Sequence, residues 1–134
     1  MHWTKIRKAA VFQLIYLTLA ALWNLAGVAR IAQGLRAPGP TASLAVAAYL
    51  LVVGVAIYAG ARRNRGIYLA ATLLVGFGTA SAIVQAFQLD PSLWPSSFWR
   101  YAGVLLNGFG FFGAVWGCLA GFKAGSVPAR ATDR

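Results

Sequence analysis

Four apolar stretches, each about the twenty residues a helix needs to cross a bilayer and each closed by a breaker, constrain this chain more than anything else in it. They run over 9–31, 43–61, 67–89 and 99–122. Ala37-Pro38-Gly39-Pro40 divides the first pair, and Asp90-Pro91 through Trp94-Pro95 divides the last. Arg62-Arg63-Asn64-Arg65-Gly66 makes a tight turn in the middle. Proline and glycine end helices, and a run of arginines cannot stay in hydrocarbon. The pattern predicts an all-α, integral membrane four-helix bundle, formed as one domain over residues 1–123 with a short flexible tail at 124–134.

Composition fits a membrane better than water. The chain is 60% hydrophobic over 134 residues, with a mean hydropathy of +0.68, whereas soluble domains sit nearer 45–50% apolar. A chain this short has too little interior to hide that much apolar surface. The net charge is +10. Such a balance suggests nucleic acid in a soluble protein, but here the placement of the cations points elsewhere. Lys5, Arg7 and Lys8 precede the first span, Arg62, Arg63 and Arg65 fill the middle turn, and Lys123, Arg130 and Arg134 follow the last. The other side holds Arg30, Arg36 and Arg100. By the positive-inside rule both termini and the middle turn are cytoplasmic, and no nucleic-acid partner is expected. Trp94, Trp99 and Tyr101 fit the outer interface, and Trp3, Tyr58, Tyr68 and Phe122 the inner one. The amino-terminal cations and the following apolar run also have the form of a signal peptide, with Gly27-Val28-Ala29 as a cleavage candidate. The run exceeds the roughly 7–15 residues of a signal core, so a retained first span is expected.

Helices in lipid associate by close packing of small residues. In the fourth span Gly103, Asn107, Gly110, Ala114, Gly117 and Gly121 are spaced by 4, 3, 4, 3 and 4, a seam on one helix face. The opposite face carries Leu105, Phe109, Phe112, Trp116 and Leu119. Of these, Phe109, Phe112 and Trp116 are the candidate surface for lipid or a partner. Weaker seams run through Gln13, Ala20, Asn24, Gly27 and Ile31, through Ala47, Gly54 and Ala61, and through Thr72, Gly76 and Thr79.

Polar groups at bilayer depth are costly and mark positions of interest. Ser81, Gln85 and Gln88 share a face of the third span. Asn24 lies seven residues inward from Ile31, ~10 Å deep at 1.5 Å per residue, and Asn107 lies ~12 Å inward from Trp99 by the same rise. Two arrangements are open: interhelical amide bonds, such as Asn24 to Asn107, or an outward-facing polar vestibule lined by Asn24, Ser81, Gln85 and Asn107. At the outer interface Asp90 has Arg100 and Arg30 as candidate ion-pair partners, with turn capping as the alternative. Arg62, Arg63 and Arg65 are candidate contacts for lipid headgroups.

Several chemistries lack their residues. No span contains an internal Asp, Glu, Lys or His, which argues against proton-coupled transport. His2, Cys118, Asp90 and Asp133 are too scattered for a usual metal site or haem ligation, and no nucleophile has a base beside it. No enzyme activity and no cofactor are expected. The string Asn107-Gly108-Phe109-Gly110-Phe111-Phe112 resembles the Asn-x-x-Gly-x-Phe stretch of small four-span fluoride channels over six residues. The Thr/Phe/Ser-rich helix break of that family has no counterpart, so none of its functional residues is carried over.

These features lead to two expectations. The first is a small non-catalytic accessory or assembly subunit of a bacterial plasma (inner) membrane, packed against a larger membrane complex or itself. The second is a small homo-oligomeric channel, carrier or lipid- or small-molecule-binding protein using the polar vestibule.

Overall fold

The computed structural model describes residues 2–124, with side chains from residue 4 onward. The Trp3 side chain and the tail from 125, with Arg130, Asp133 and Arg134, lie outside what it describes. Four helices follow one another: α1 (His2–Ala32), α2 (Leu44–Arg63), α3 (Arg65–Gln88) and α4 (Ser97–Lys123). A 3-10 turn, Pro91–Leu93, separates the last two. All four helices are long and apolar enough to span a membrane. Each extends one to seven residues past its apolar window on at least one side, because a helix does not stop where lipid does.

Local chemistry sets the ends. α1 closes in a Schellman motif: Leu35 N–H donates to Arg30 O at 2.9 Å, Gly34 N–H donates to Ile31 O at 2.9 Å, and Gly34 has φ +74. Only glycine adopts that conformation at little cost. Ser43 Oγ accepts from Val46 N–H at 3.0 Å and starts α2. Asn64 serves two helices at once. Its N–H donates to Gly60 O, ending α2, and its Oδ1 accepts from Ile67 N–H at 3.1 Å, starting α3. The connection is therefore a single residue.

The helices run up and down, and the close neighbours are α1 with α2 and α4, and α3 with α2 and α4. Asn64 and the basic ends of α1 and α4 share one end of the bundle. The loop 33–43 and the 3-10 turn share the other. The core between them is built largely from alanine and glycine, with Tyr68, Ile6 and Ile57 the largest fully buried apolar side chains. The bulky residues point outward: Leu105 is 75% exposed and Phe77 74%. A soluble bundle places these groups the other way round, so this exterior requires a lipid solvent.

Candidate functional site

The small-residue seam of α4 receives side chains from α1 and α3. Tyr16 lies on Gly110, where an added Cβ would be 2.6 Å from its ring, and Phe12 lies on Gly113 at 2.8 Å. Gly117 faces a polar knot. A Cβ there would overlap Gln13 Nε2 and stand 2.8 Å from Tyr68 Oη and 3.0 Å from Thr72 Cγ2. Gln13 Nε2 donates to Tyr68 Oη at 3.0 Å across the middle of the bundle. Gln13 Oε1 and Thr72 Oγ1 are buried with no hydrogen-bond partner among the described residues. Tyr68, expected at the inner interface, is wholly buried in this knot. Its aromatic bulk signals interface in a membrane sequence, but glycines on two facing helices make room for it inside.

A cavity of about 290 Å³ lies toward the opposite end of the bundle. Asn24, Ser81, Gln85 and Asn107 all line it. Gln88 is exposed and outside the lining. The two asparagines do not bond to each other. Asn24 Nδ2 donates to Ala20 O at 2.9 Å, and its Oδ1 accepts from Ser43 N–H at 3.4 Å. Asn107 Nδ2 donates to Gly103 O at 2.8 Å, and its Oδ1 accepts from Tyr16 Oη at 3.2 Å. Each amide thus bonds within its own helix and to one outside group, which fixes the side chain and leaves the wall polar. Gln85 Nε2 donates to Ser81 Oγ at 3.1 Å. Thr79 Oγ1 donates to Val75 O at 2.8 Å and Gly76 O at 3.0 Å. No lining residue carries a charge.

Tyr16, Thr79, Trp23 and Tyr49 also line the cavity, and sequence reasoning did not assign them to it. For Tyr16 a signal existed: it falls on the face that carries Gln13, Ala20 and Asn24.

The exposed residues of the lining lie on α2 and α3 and at Thr41 of the loop, so the cavity has a lateral side as well as a loop side. Gly39, Thr41 and Ala42 of the loop contribute to its lining. The loop folds back because Gly27 has no side chain to hold off Ala42, and Gly39 packs between the Trp23 and Trp94 indoles. On the α1 wall Tyr16, Leu17, Ala20 and Asn24 are buried. On the α2 and α3 walls Tyr49, Leu74, Gly78, Ser81 and Gln85 are exposed. The gap therefore lies between α2 and α3. At the other end these helices touch backbone to backbone, since a Cβ on Gly60 would be 2.5 Å from Tyr68 N. They meet at the one-residue Asn64 turn and leave room near Tyr49 and Gln85.

Of the two readings for Asp90, the structure shows the turn cap and not the ion pair with Arg100 or Arg30. Asp90 caps the 3-10 turn, its Oδ1 accepting from Ser92 N–H at 2.8 Å. This bond and one from the Ser92 hydroxyl hold its carboxyl below the ordinary range. Arg100 Nε donates to Ala86 O at 2.6 Å near the end of α3, with the guanidinium near Trp94, Phe87 and Tyr101. Arg30 Nε donates to Arg36 O at 2.9 Å and lies over Trp99. Free backbone carbonyls, at the end of α3 for Arg100 and in the loop for Arg30, accept from guanidinium groups.

Two further expectations change in detail. Phe109 and Trp116 are partly buried, with the Phe12 ring of α1 tilted against the first and edge-on to the second at centroid distances of 4.1 and 5.8 Å. Phe112 remains largely exposed. The outward stripe of α4 is therefore Phe98, Leu105, Phe112 and Leu119, one residue every seven. Arg65 is half-buried and turned inward: its Nε donates to Gly121 O at 2.7 Å and its Nη2 to Phe122 O at 3.3 Å. It caps α4, whereas Arg62 and Arg63 are exposed and point no side chain into the bundle's hydrogen bonds. Comparison with protein-family models, curated proteins and solved structures finds no match to this chain.

Proposed function

We propose that this chain is a non-catalytic membrane protein that binds a small uncharged amphiphile, taken sideways from the lipid through the gap between α2 and α3. The observation that carries the reading is the cavity: four polar residues from three helices converge on one uncharged space whose exposed walls are α2 and α3. Its 290 Å³ holds about ten non-hydrogen atoms at the ~30 Å³ a water occupies in the liquid. That suits a polar head and the start of a chain, with the rest of the chain left between the helices in lipid. An ionised head finds no counter-charge on the walls and is disfavoured at this depth. The setting we infer is a bacterial plasma (inner) membrane, with both termini and the Asn64 turn cytoplasmic by the charge asymmetry. The ligand then comes from the outer leaflet.

The accessory-subunit reading draws support from the outward stripe Phe98, Leu105, Phe112 and Leu119, along which a larger membrane complex or a second copy could pack. Lipid tails satisfy that stripe equally well, so it supports the accessory reading less than the cavity supports the binding reading.

The test uses the protein in nanodiscs with a diazirine-bearing octanoylglycerol, an uncharged head on a short chain. Photolysis and peptide mass spectrometry map the adducts. The reading expects adducts concentrated on the 46–53 and 74–85 stretches, reduced by Ser81→Phe, which fills the mouth, and by Asn107→Ala. Labelling spread evenly over the outward faces, and indifferent to Ser81→Phe, overturns it.

A further inference from the structure

We propose that a second groove, between α1 and α2 at the basic end, is a site for one anionic phospholipid. It is independent of the α2–α3 cavity and lies at the opposite end of the bundle. Its volume is about 160 Å³. Ala10 and Ala61 form the floor, both buried, and their small side chains leave a channel between the helices. Val11 and Tyr58 form exposed apolar walls. Arg7 and Arg62 stand at the mouth, each four residues from its wall residue on its own helix. The order is the same on both helices: cation toward the membrane surface, apolar wall one turn deeper. A phospholipid has that order too.

The two arginines have no acidic partner among the described residues. Asp90 is the only carboxylate side chain among the described residues, and it caps the 3-10 turn at the far end. Arg62 is held in place by its own helix, its guanidinium 4.5 Å from the Tyr58 ring centroid. That leaves its donors for a ligand, and guanidinium forks match phosphate oxygens. Arg65, in the same turn, directs two of its N–H donors to the end of α4. The site therefore draws one arginine from the turn and one from α1, a combination that a basic cluster in the sequence does not indicate. The apolar walls commit the occupant to a lipid and not to free phosphate.

The experiment is native mass spectrometry of the full chain in a neutral detergent. Phosphatidylglycerol is titrated against phosphatidylcholine with the same acyl chains, and glycerol phosphate is offered as a competitor. The expected result is one retained phosphatidylglycerol per chain in preference to phosphatidylcholine, not displaced by glycerol phosphate. Arg7→Gln and Arg62→Gln should each weaken retention about fivefold, from ~1 kcal/mol per arginine near an anionic headgroup. Arg63→Gln removes the same charge outside the groove and should change retention less than about twofold, well below the ~1 kcal/mol full-contact value. Val11→Trp fills the channel without touching charge and should also weaken retention. Equal retention of the two lipids by the wild-type chain, displacement by glycerol phosphate, or a loss in Arg63→Gln as large as in Arg62→Gln overturns the proposal.

Discussion

Replacing Gly117 by alanine tests the packing logic of the whole bundle. The new Cβ has nowhere to go: it overlaps Gln13 Nε2 and meets Tyr68 Oη at 2.8 Å and Thr72 Cγ2 at 3.0 Å. These side chains come from α1 and α3, so relief requires moving a helix or breaking the Gln13–Tyr68 bond. Overpacking of a tight core costs about 1–3 kcal/mol, and an interhelical hydrogen bond in a membrane protein averages about 0.6 kcal/mol. Alanine returns up to ~1 kcal/mol of helix propensity relative to glycine. The net is a loss of roughly 0.6–2.6 kcal/mol, about 3- to 80-fold in the folded-to-unfolded ratio. Gly108→Ala is the internal reference, because a Cβ there meets nothing within 4 Å. The propensity term cancels between the two variants, leaving a difference of about 1.6–3.6 kcal/mol from sterics and the lost bond. Unfolding by sodium dodecyl sulfate in mixed micelles, followed by tryptophan fluorescence, measures both. A Gln13→Ala background makes room for the methyl and should shrink the difference, a coupling that a double-mutant cycle reads directly. If Gly117→Ala and Gly108→Ala unfold within ~0.5 kcal/mol of each other, the limit of additivity for independent sites, the knot does not clamp the bundle.

Other perturbations should act on single features. Arg65→Gln removes the charged donor to Gly121 O and Phe122 O and should cost about 1–2 kcal/mol in the same unfolding assay, in the lower part of the range for charge-assisted bonds because the group is only half-buried; an unchanged value refutes the cap. Gly27→Leu should lift the 33–43 loop off α1, where even a Cβ overlaps Ala42, and limited proteolysis should then cut the loop faster than in the wild type. Asp90 has its carboxyl lowered below 3.8 by the Ser92 bonds, so its contribution is complete above the unfolded-state pKa and is lost as pH falls through the lower folded value. Melting temperature in detergent should therefore drop as pH falls below about 4, and Asp90→Asn should flatten that drop; an identical profile in the variant refutes the capping role.

How much of this was legible beforehand differs by feature. Asn24, Ser81, Gln85 and Asn107 could be grouped from helical spacing and depth alone, and the structure places all four on one cavity. Their hydrogen-bond partners could not be read, because an amide in lipid takes the nearest acceptor, which for both asparagines is a carbonyl one turn back on its own helix. Asp90 illustrates the same limit. Charges at one interface suggest a pair, yet Arg30 and Arg100 found carbonyl oxygens closer. Tyr68 and Arg65 were misplaced for a common reason. An aromatic or a cation near a span end reads as an interface group; only the glycines on neighbouring helices reveal the space for Tyr68 to turn inward, and only the nearby end of α4 shows what Arg65 bonds.

Sequence by itself determined that the chain is four apolar helices, where each one breaks, and which faces are small enough to pack. Those are properties of single segments, set by length, hydropathy and 3.6-residue spacing. Tertiary structure decided which helices adjoin, that α2 and α3 touch at Gly60 and part near Gln85, and that the polar residues therefore border a sideways gap. It also decided that Arg7 and Arg62 share one groove. Each depends on how far apart two helices stand, and that distance is fixed by pairs of residues remote in the chain, such as Gly117 with Gln13, whose meeting no single segment encodes.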